Sequence, residues 1–259
     1  MSHITESTPV RFNILTYNIH KGFNFSNRKF ILHQIRELLE ETGVDVAMLQ
    51  EIYGEHSGWA GKLDDWPDVS QYEFLADKIW PHYAYGKNAI YNSGHHGNAI
   101  LSKYPFTEWE NLNVSFFKRA SRSLLHGIIE MPETGHTIHI ICLHLDQFKI
   151  IRNHQLKRLK QRIFKDIPEH APLIVAGDFN DWSDHASQYL FAGAQLNEVH
   201  VMMHGVHAKT YPSRFPMLPL DRIYYRNLEL VKCNTLSHYP WNKLSDHTPL
   251  TAEFLVGSN

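Results

Sequence analysis

The sequence predicts an α/β fold in which two packed, mixed β-sheets are covered by helices. Three observations predict it. Apolar runs of strand length recur about ten times, and that many strands split readily into two sheets. Some runs are joined by tight turns, as "SLLHGIIEM" and "HTIHIICLHL" are across Pro-Glu-Thr-Gly. Others alternate with helical segments, which argues for parallel pairing beside the hairpins.

The elements follow in order. Residues 11–19, "RFNILTYNI", alternate like a half-buried strand. Residues 28–42 predict a helix, with Ile31, Ile35, Leu38 and Leu39 on one stripe and Gly43 as the stop. "VDVAMLQ" (44–50) reads as a buried strand, and "YEFLADKIW" (72–80) as a helix ended by Pro81. "GNAILS" (97–102) is a short strand before the turn at Tyr104-Pro105. After the hairpin, residues 149–166 predict a basic amphipathic helix, "PLIVAG" a strand and 184–193 a short helix. "RIYYRN", "LELVKCNTL" and "TPLTAEFLV" complete the strands. No linker, low-complexity tract or repeat interrupts the chain. One domain is therefore expected over residues 1–259, with a polar tail at 1–9.

Composition narrows the function classes. Of 259 residues, 43% are hydrophobic, enough for a sizeable core. The 25 Lys and Arg against 27 Asp and Glu give a net charge of -2. A non-specific DNA binder would carry a phosphate-neutralising surplus; a local basic patch remains open. Cys142 and Cys233 are too few for a disulfide framework and are expected as reduced thiols. The start, "MSHITESTPV", lacks an apolar signal core, and no apolar run approaches the roughly 20 residues that span a bilayer. A soluble, cytoplasmic protein without a transmembrane segment is expected. The 19 histidines invite a zinc reading at His136-x-x-His139 and His204-x-x-His207. Positions three apart on a strand face opposite ways, and no paired cysteines exist, so structural zinc is not expected.

Polar groups gather at strand ends. Asn18 ends the first strand, Glu51 follows "VDVAMLQ", and His144 lies near the end of "HTIHIICLHL". Asp178 and Asn180 follow "PLIVAG". Asp221 and Asp246-His247 instead precede their strands. If those last two strands run antiparallel to the first four, starts and ends meet at one sheet edge and the groups share a cleft. Turn chemistry accounts for any single Asp or Asn at a strand end. The whole set is chemically complementary, and its oxygen-rich character suits a hard ion such as Mg2+.

"LTYNIH", "MLQE", "HLD", "GDFND", "LDRI" and "SDHTP" occur in this order between residues 15 and 249. In this order they resemble the motifs of the endonuclease/exonuclease/phosphatase, or DNase I-like, superfamily. "GDFN" alone is only moderately specific; "LQE", "GDFN" and "SDH" in order are strongly so. "YNIHKGF" and "GHHGNAILS" look most like bacterial members with generic descriptions. The resemblance implies a four-layer αββα sandwich and metal-dependent hydrolysis of a phosphate ester.

It also implies roles. Glu51, Asn18 and Asp246 are the candidate metal group, for Mg2+ with Mn2+ as a substitute. Asp178, Asn180, His144, Asp221 and His247 are the candidate catalytic group. Asp178 would orient or deprotonate the attacking water, and Asn180 would hold that water or a phosphate oxygen. Asp221 would orient His247, and His144 would serve the phosphate or the leaving group. Asp178 and His247 both remain candidates for the base. His20, Asn98 and Arg152 are candidate substrate contacts, His95 and His96 are further ones, and Lys21, Arg119 and Arg122 are candidates to meet the phosphate. Arg152 and Gln155 share a helix face and would reach a phosphate or brace the His144 loop. "YPSRFPMLPLDR" (211–222), with Trp182 and Trp241, reads as a cleft wall or an ordinary packed loop.

Three functions compete on these residues. The first is a phosphodiesterase acting on nucleic acid or phospholipid. The second is a phosphomonoesterase on inositol, sugar or nucleotide phosphates. The third is an idle module that binds phosphate ligands or a protein. The sequence names no protein partner.

Overall fold

The computed structural model describes residues 9–116, 122–132 and 135–257; residues 1–8 of the polar tail (1–9) and Arg119 lie outside them. In chain order the elements are β1 (Val10–Asn18), α1 (Leu32–Thr42), β2 (Val46–His56), α2 (Ser57–Ala60), α3 (Gln71–Ala76), β3 (His82–Tyr91), β4 (Gly94–Ser102) and β5 (Phe106–Asn113). They continue with β6 (Ser123–Met131), β7 (His136–His144), α4 (Lys149–Asp166), β8 (Leu173–Asp178), α5 (His185–Ala194), β9 (Asn197–Glu198), α6 (Val199–His204), β10 (Asp221–Arg226), β11 (Glu229–Thr235) and β12 (Leu250–Val256). Two six-stranded mixed sheets result, ordered β11-β12-β1-β2-β4-β3 and β5-β6-β7-β8-β10-β9.

The layers follow from the two buried faces of each sheet. Phe12, Ile14, Met48 and Ile100 of the first sheet pack against Leu125, Ile140, Ile174 and Ile223 of the second. The outer face of the first sheet, with Leu15 and Leu49, packs on Ile35 and Leu39 of α1 and Leu75 of α3. The outer face of the second, with Leu143 and Val175, packs on Leu156, Leu159 and Ile163 of α4 and Leu190 of α5. This is the αββα sandwich. Strands buried on both faces read as continuous apolar runs, which is why "VDVAMLQ" and "PLIVAG" lack alternation.

Topology places the site. β1 runs parallel to β2 and β7 parallel to β8, each pair joined through a helix. β12 runs antiparallel to β1, and β10 antiparallel to β8. The ends of β1, β7 and β8, with the irregular turn of β2 at Glu51, therefore meet the starts of β10 and β12. The groups come from two sheets, however, and not from one sheet edge. Gly177 has φ 146°, and a Cβ there would run into the Leu143 carbonyl. Only glycine lets β8 lie this close to β7 just before Asp178.

Several boundaries differ from the sequence reading. Helix α1 begins at Leu32, after Phe23 and Phe30 pair in an isolated bridge. Helix α3 covers only Gln71–Ala76: a Ser70–Glu73 capping box starts it, and Asp77 at ψ 122° stops it. Trp80 then turns inward and donates Nε1–H to the Val44 carbonyl at 3.2 Å. β2 continues past Gln50 to His56, with Glu51 at φ 54° inside it. β3 and β5 were not expected. Both are sheet edges, where one side of the strand is open and sequence patterning is weak. Among the described residues, no helix is long and apolar enough to cross a membrane.

Candidate active site

Asp178 ends β8 with its side chain almost fully buried, and its carboxylate is the hub of the site. Oδ2 lies 3.2 Å from Asn18 Nδ2, 3.4 Å from His144 Nε2 and 3.7 Å from His247 Nε2. Oδ1 accepts the backbone N–H of Asn180 at 2.9 Å. Asn18 comes from the first sheet and Asp178 from the second, so their hydrogen bond ties the two layers at the mouth of the sandwich. Burial pushes the Asp178 carboxyl above the usual range, although His144 and His247 oppose it.

His247 is held on both sides. Its Nδ1 lies 2.8 Å from Asp221 Oδ2, its backbone N–H meets Ser245 Oγ at 3.3 Å, and its ring rests on Tyr211 at 5.0 Å. Burial disfavours the charged ring, but Asp221 and Asp178 outweigh burial and push His247 up to about 10. His144 shows the opposite result: burial, with Arg122 adding to it, pushes it down to about 4. At neutral pH the site thus pairs an imidazolium with a neutral imidazole on opposite flanks of one carboxylate.

Glu51 carries the second focus. Its Oε2 is 2.7 Å from Lys21 Nζ and its Oε1 3.5 Å from Asn18 Nδ2. Burial works against its ionised form, yet His144, Lys21 and His20 hold it well below the usual carboxylate range. Asp246 lies 3.8 Å from His20 Nδ1 and 3.2 Å from the Ser245 hydroxyl. That hydroxyl also donates to the Asn18 carbonyl at 2.7 Å, so the "SDH" loop is bonded to the tip of β1.

The donor set fits a hard divalent ion. Glu51 and Asp246 offer carboxylate oxygens, with Glu51 held toward its ionised form, and the Asn18 carboxamide oxygen beside them also accepts the His20 N–H at 3.1 Å. A tighter group also exists: ligand-type atoms of Asp178, Asp221 and His247 lie within 4.8 Å of one another. Both ring nitrogens of His247 already face carboxylates there. That group is a carboxylate–imidazole–carboxylate chain and has no ring nitrogen left for an ion. Of the zinc candidates, His139 faces His126 at 3.1 Å, and His207 sits between Asp184 and Glu198, acidic partners that the sequence did not reveal.

Of the sequence candidates, Asn18, Glu51, His144, Asp178, Asp221 and His247 are joined by these contacts. Asn180 is anchored beside them, its Nδ2 donating to the Leu145 carbonyl at 2.9 Å. His20 borders the site through Asp246. Asn98 is buried and directs Nδ2 to the Ser123 carbonyl at 3.5 Å, and its Oδ1 has no partner among the described residues. Arg152 is only 3% exposed. It pairs with Asp181 at 3.4 Å and donates to the Asp146 and Gln147 carbonyls. It braces the His144 loop through these bonds, and its buried Nε is left without a partner among the described residues. Trp241 is buried, while Trp182 is exposed at 56% over Arg152. Arg222 turns from its neighbour Asp221 to Asp181 and the Ser183 carbonyl. The supporting roles of Ser245, Gln71 and Asp181 were missed: Ser245 and Asp181 stand inside the motifs "SDHTP" and "GDFND", but what they hold is set by distant strands.

Comparison with known proteins agrees with this geometry. The model of the Endonuclease/Exonuclease/phosphatase family matches residues 15–247. Uncharacterized protein YbhP of Escherichia coli is 44% identical over 242 residues, 93% of this chain and 95% of its own. Among solved structures, the endonuclease/exonuclease/phosphatase from Beutenbergia cavernae has a TM-score of 0.75 at 16% identity, covering 95% of this chain and 72% of that one. A humanized D. rerio TDP2 gives 0.71 at 19%, over 94% and 98% of the two chains. The Bacteroides thetaiotaomicron mannosyl-6-phosphatase gives 0.69 at 17%, over 95% and 99%. At these identities the structural likeness shows the DNase I-like fold alone. With the family match across the site-bearing strands, the chain belongs to the endonuclease/exonuclease/phosphatase family.

Proposed function

We propose that the chain is a single-domain, divalent-metal-dependent phosphodiesterase, acting on an ester of the nucleic-acid or phospholipid type. The observation that carries this reading is the Asp178 carboxylate, contacted by Asn18, His144 and His247 beside the ionised Glu51. Phosphate esters are anionic and slow to hydrolyse, so a catalyst must neutralise charge and activate water.

Glu51 and Asn18, with Asp246, would hold Mg2+ or Mn2+. The ion, when bound, supplies Lewis-acid polarisation of the phosphoryl oxygen. Asp178 is the base: burial raises its basicity, whereas His247 is already protonated near neutral pH and has no free site for a proton. His247, steered by Asp221, places positive charge against the developing charge on phosphorus-bound oxygen. His144, neutral at this pH, donates a hydrogen bond and does not lose a proton. Asn180 orients the water or a phosphate oxygen. An idle binding module has no chemical need for this complete set. The buried free thiols of Cys142 and Cys233 support a reducing, cytoplasmic setting.

The test is hydrolysis of bis-p-nitrophenyl phosphate with Mg2+, with and without EDTA, beside p-nitrophenyl phosphate as monoester. Metal-dependent release from the diester supports the reading. Turnover of the monoester alone assigns the site to phosphomonoesters. Turnover of neither ester, nor of DNA, RNA or phospholipid, rejects the reading.

A further inference from the structure

Three successive residues after Asn18 take left-handed backbone: His20 at φ 47°, Lys21 at φ 59° and Gly22 at φ 79°. A non-glycine residue in such a conformation costs on the order of 1–3 kcal/mol and persists only where its surroundings over-determine it. They do so here. The His20 N–H is taken by Asn18 Oδ1 at 3.1 Å. Gln71, buried at the start of α3, donates Nε2–H to the Lys21 carbonyl at 2.9 Å. Its Oε1 accepts the Tyr53 N–H of β2 at 2.9 Å. The Gly22 carbonyl accepts from Ile31 N–H at 2.8 Å, and a Cβ at Gly22 would press on Gln71 and Phe30. One buried amide thus locks β1, β2 and α3 around a strained turn.

The turn aims a charge. Lys21 Nζ reaches Glu51 Oε2 at 2.7 Å, and Glu51 itself stands on left-handed backbone at φ 54°. The two oxygens of Glu51 therefore differ. Oε2 is held by an ammonium on a tethered stem, while Oε1 faces the Asn18 carboxamide. A divalent ion and an ammonium sharing one carboxylate repel each other. An anion lying against both reverses the sign, and a phosphate ester is such an anion.

We propose that Lys21 is the second positive pole of a phosphate clamp, supplying the charge that a second ion supplies in two-metal phosphoryl-transfer sites. This rests on the metal-dependent phosphoesterase reading above. Two-metal sites grip the ester from both sides. An ammonium supplies a compact positive charge with three donors and needs no ligand set of its own. The carboxylates that a second ion would require are engaged elsewhere, since Asp178 and Asp221 both face His247. Lys21 is partly exposed, at 31% for its side chain, so it is within reach of a ligand in the cleft. Ion and phosphate then bind with positive, reciprocal coupling that passes through Lys21.

The experiment titrates Mn2+ into the intact chain by electron paramagnetic resonance, with and without inorganic phosphate, for wild type, Lys21→Met and Lys21→Arg. A Mn2+–phosphate titration without protein provides the correction for direct complexation. One Mn2+ per chain is expected. Without phosphate, Lys21→Met binds Mn2+ about fivefold more tightly, because a partly exposed repulsive charge is gone. Phosphate tightens Mn2+ binding about tenfold in wild type and Lys21→Arg, and not in Lys21→Met. Equal Mn2+ affinities and equal phosphate coupling in wild type and Lys21→Met overturn the clamp and leave the metal site standing. Two Mn2+ per chain also overturn it. No bound Mn2+ in any of the three chains overturns the metal reading, and the clamp with it.

Discussion

Asp221 Oδ2 stands 2.8 Å from His247 Nδ1, and through that contact the start of β10 in one sheet grips the loop before β12 in the other. Asp221 is the strongest of the groups that raise His247 to about 10. In Asp221→Asn, His247 is expected to titrate nearer its ordinary value of 6.5. Imidazole resonances followed by NMR against pH report this directly. Diesterase activity is expected to fall by about 10²–10⁴-fold, with the alkaline limb of its pH profile moved to lower pH.

Asp178→Asn keeps the shape of the hub and removes its charge. Activity is expected to drop by at least about 10³-fold with the far-ultraviolet circular dichroism unchanged. In wild type, burial raises the Asp178 carboxyl. The acidic limb of the kcat profile is therefore expected above the ordinary carboxylate range of about 3.9–4.3.

The same charges tie stability to pH. His247 is raised from 6.5 in the unfolded chain to about 10 in the folded one. Its contribution is fully present below pH 6.5 and is lost as pH rises through about 10. The melting-temperature difference between wild type and His247→Gln is expected to shrink steadily across that window. A difference that grows with pH contradicts the assignment of the charge.

Arg152 separates support from catalysis. It is buried against Asp181, which also holds Arg222, the Ser183 hydroxyl and the Ala186 N–H. Arg152→Ala is expected to cost about 3 kcal/mol of stability, at the lower end for a broken buried pair because Asp181 keeps its other partners. Denaturant unfolding measures it. The KM of the remaining folded enzyme is expected to stay near wild type.

Much of this arrangement was legible in the chain. Strands buried on both faces announce themselves as apolar runs, and "VDVAMLQ" and "PLIVAG" are where β2 and β8 lie. The groups that follow those runs, Glu51 inside β2 and Asp178 at the tip of β8, stood out as members of a chemically complementary set, since turn chemistry accounts for a single acid beside a strand. Edge strands β3 and β5 escaped because the buried positions of β3 are Ala84, Gly86 and Asn88, which give no apolar pattern, and β5 is largely exposed. Of the two roles open to Arg152, the structure shows the bracing of the His144 loop. Sequence spacing puts it on the face that looks toward the His144 loop, and only packing shows that Asp181 has already claimed it. The roles of Ser245 and Gln71 reside in hydrogen bonds to backbone atoms from distant strands, which no local pattern encodes.

The most direct measurement is an anomalous difference map from crystals of this chain soaked in Mn2+. The account predicts one peak per chain, in contact with Glu51 and beside Asn18. A peak lodged between Asp178, Asp221 and His247, or no peak within reach of Glu51, would contradict it.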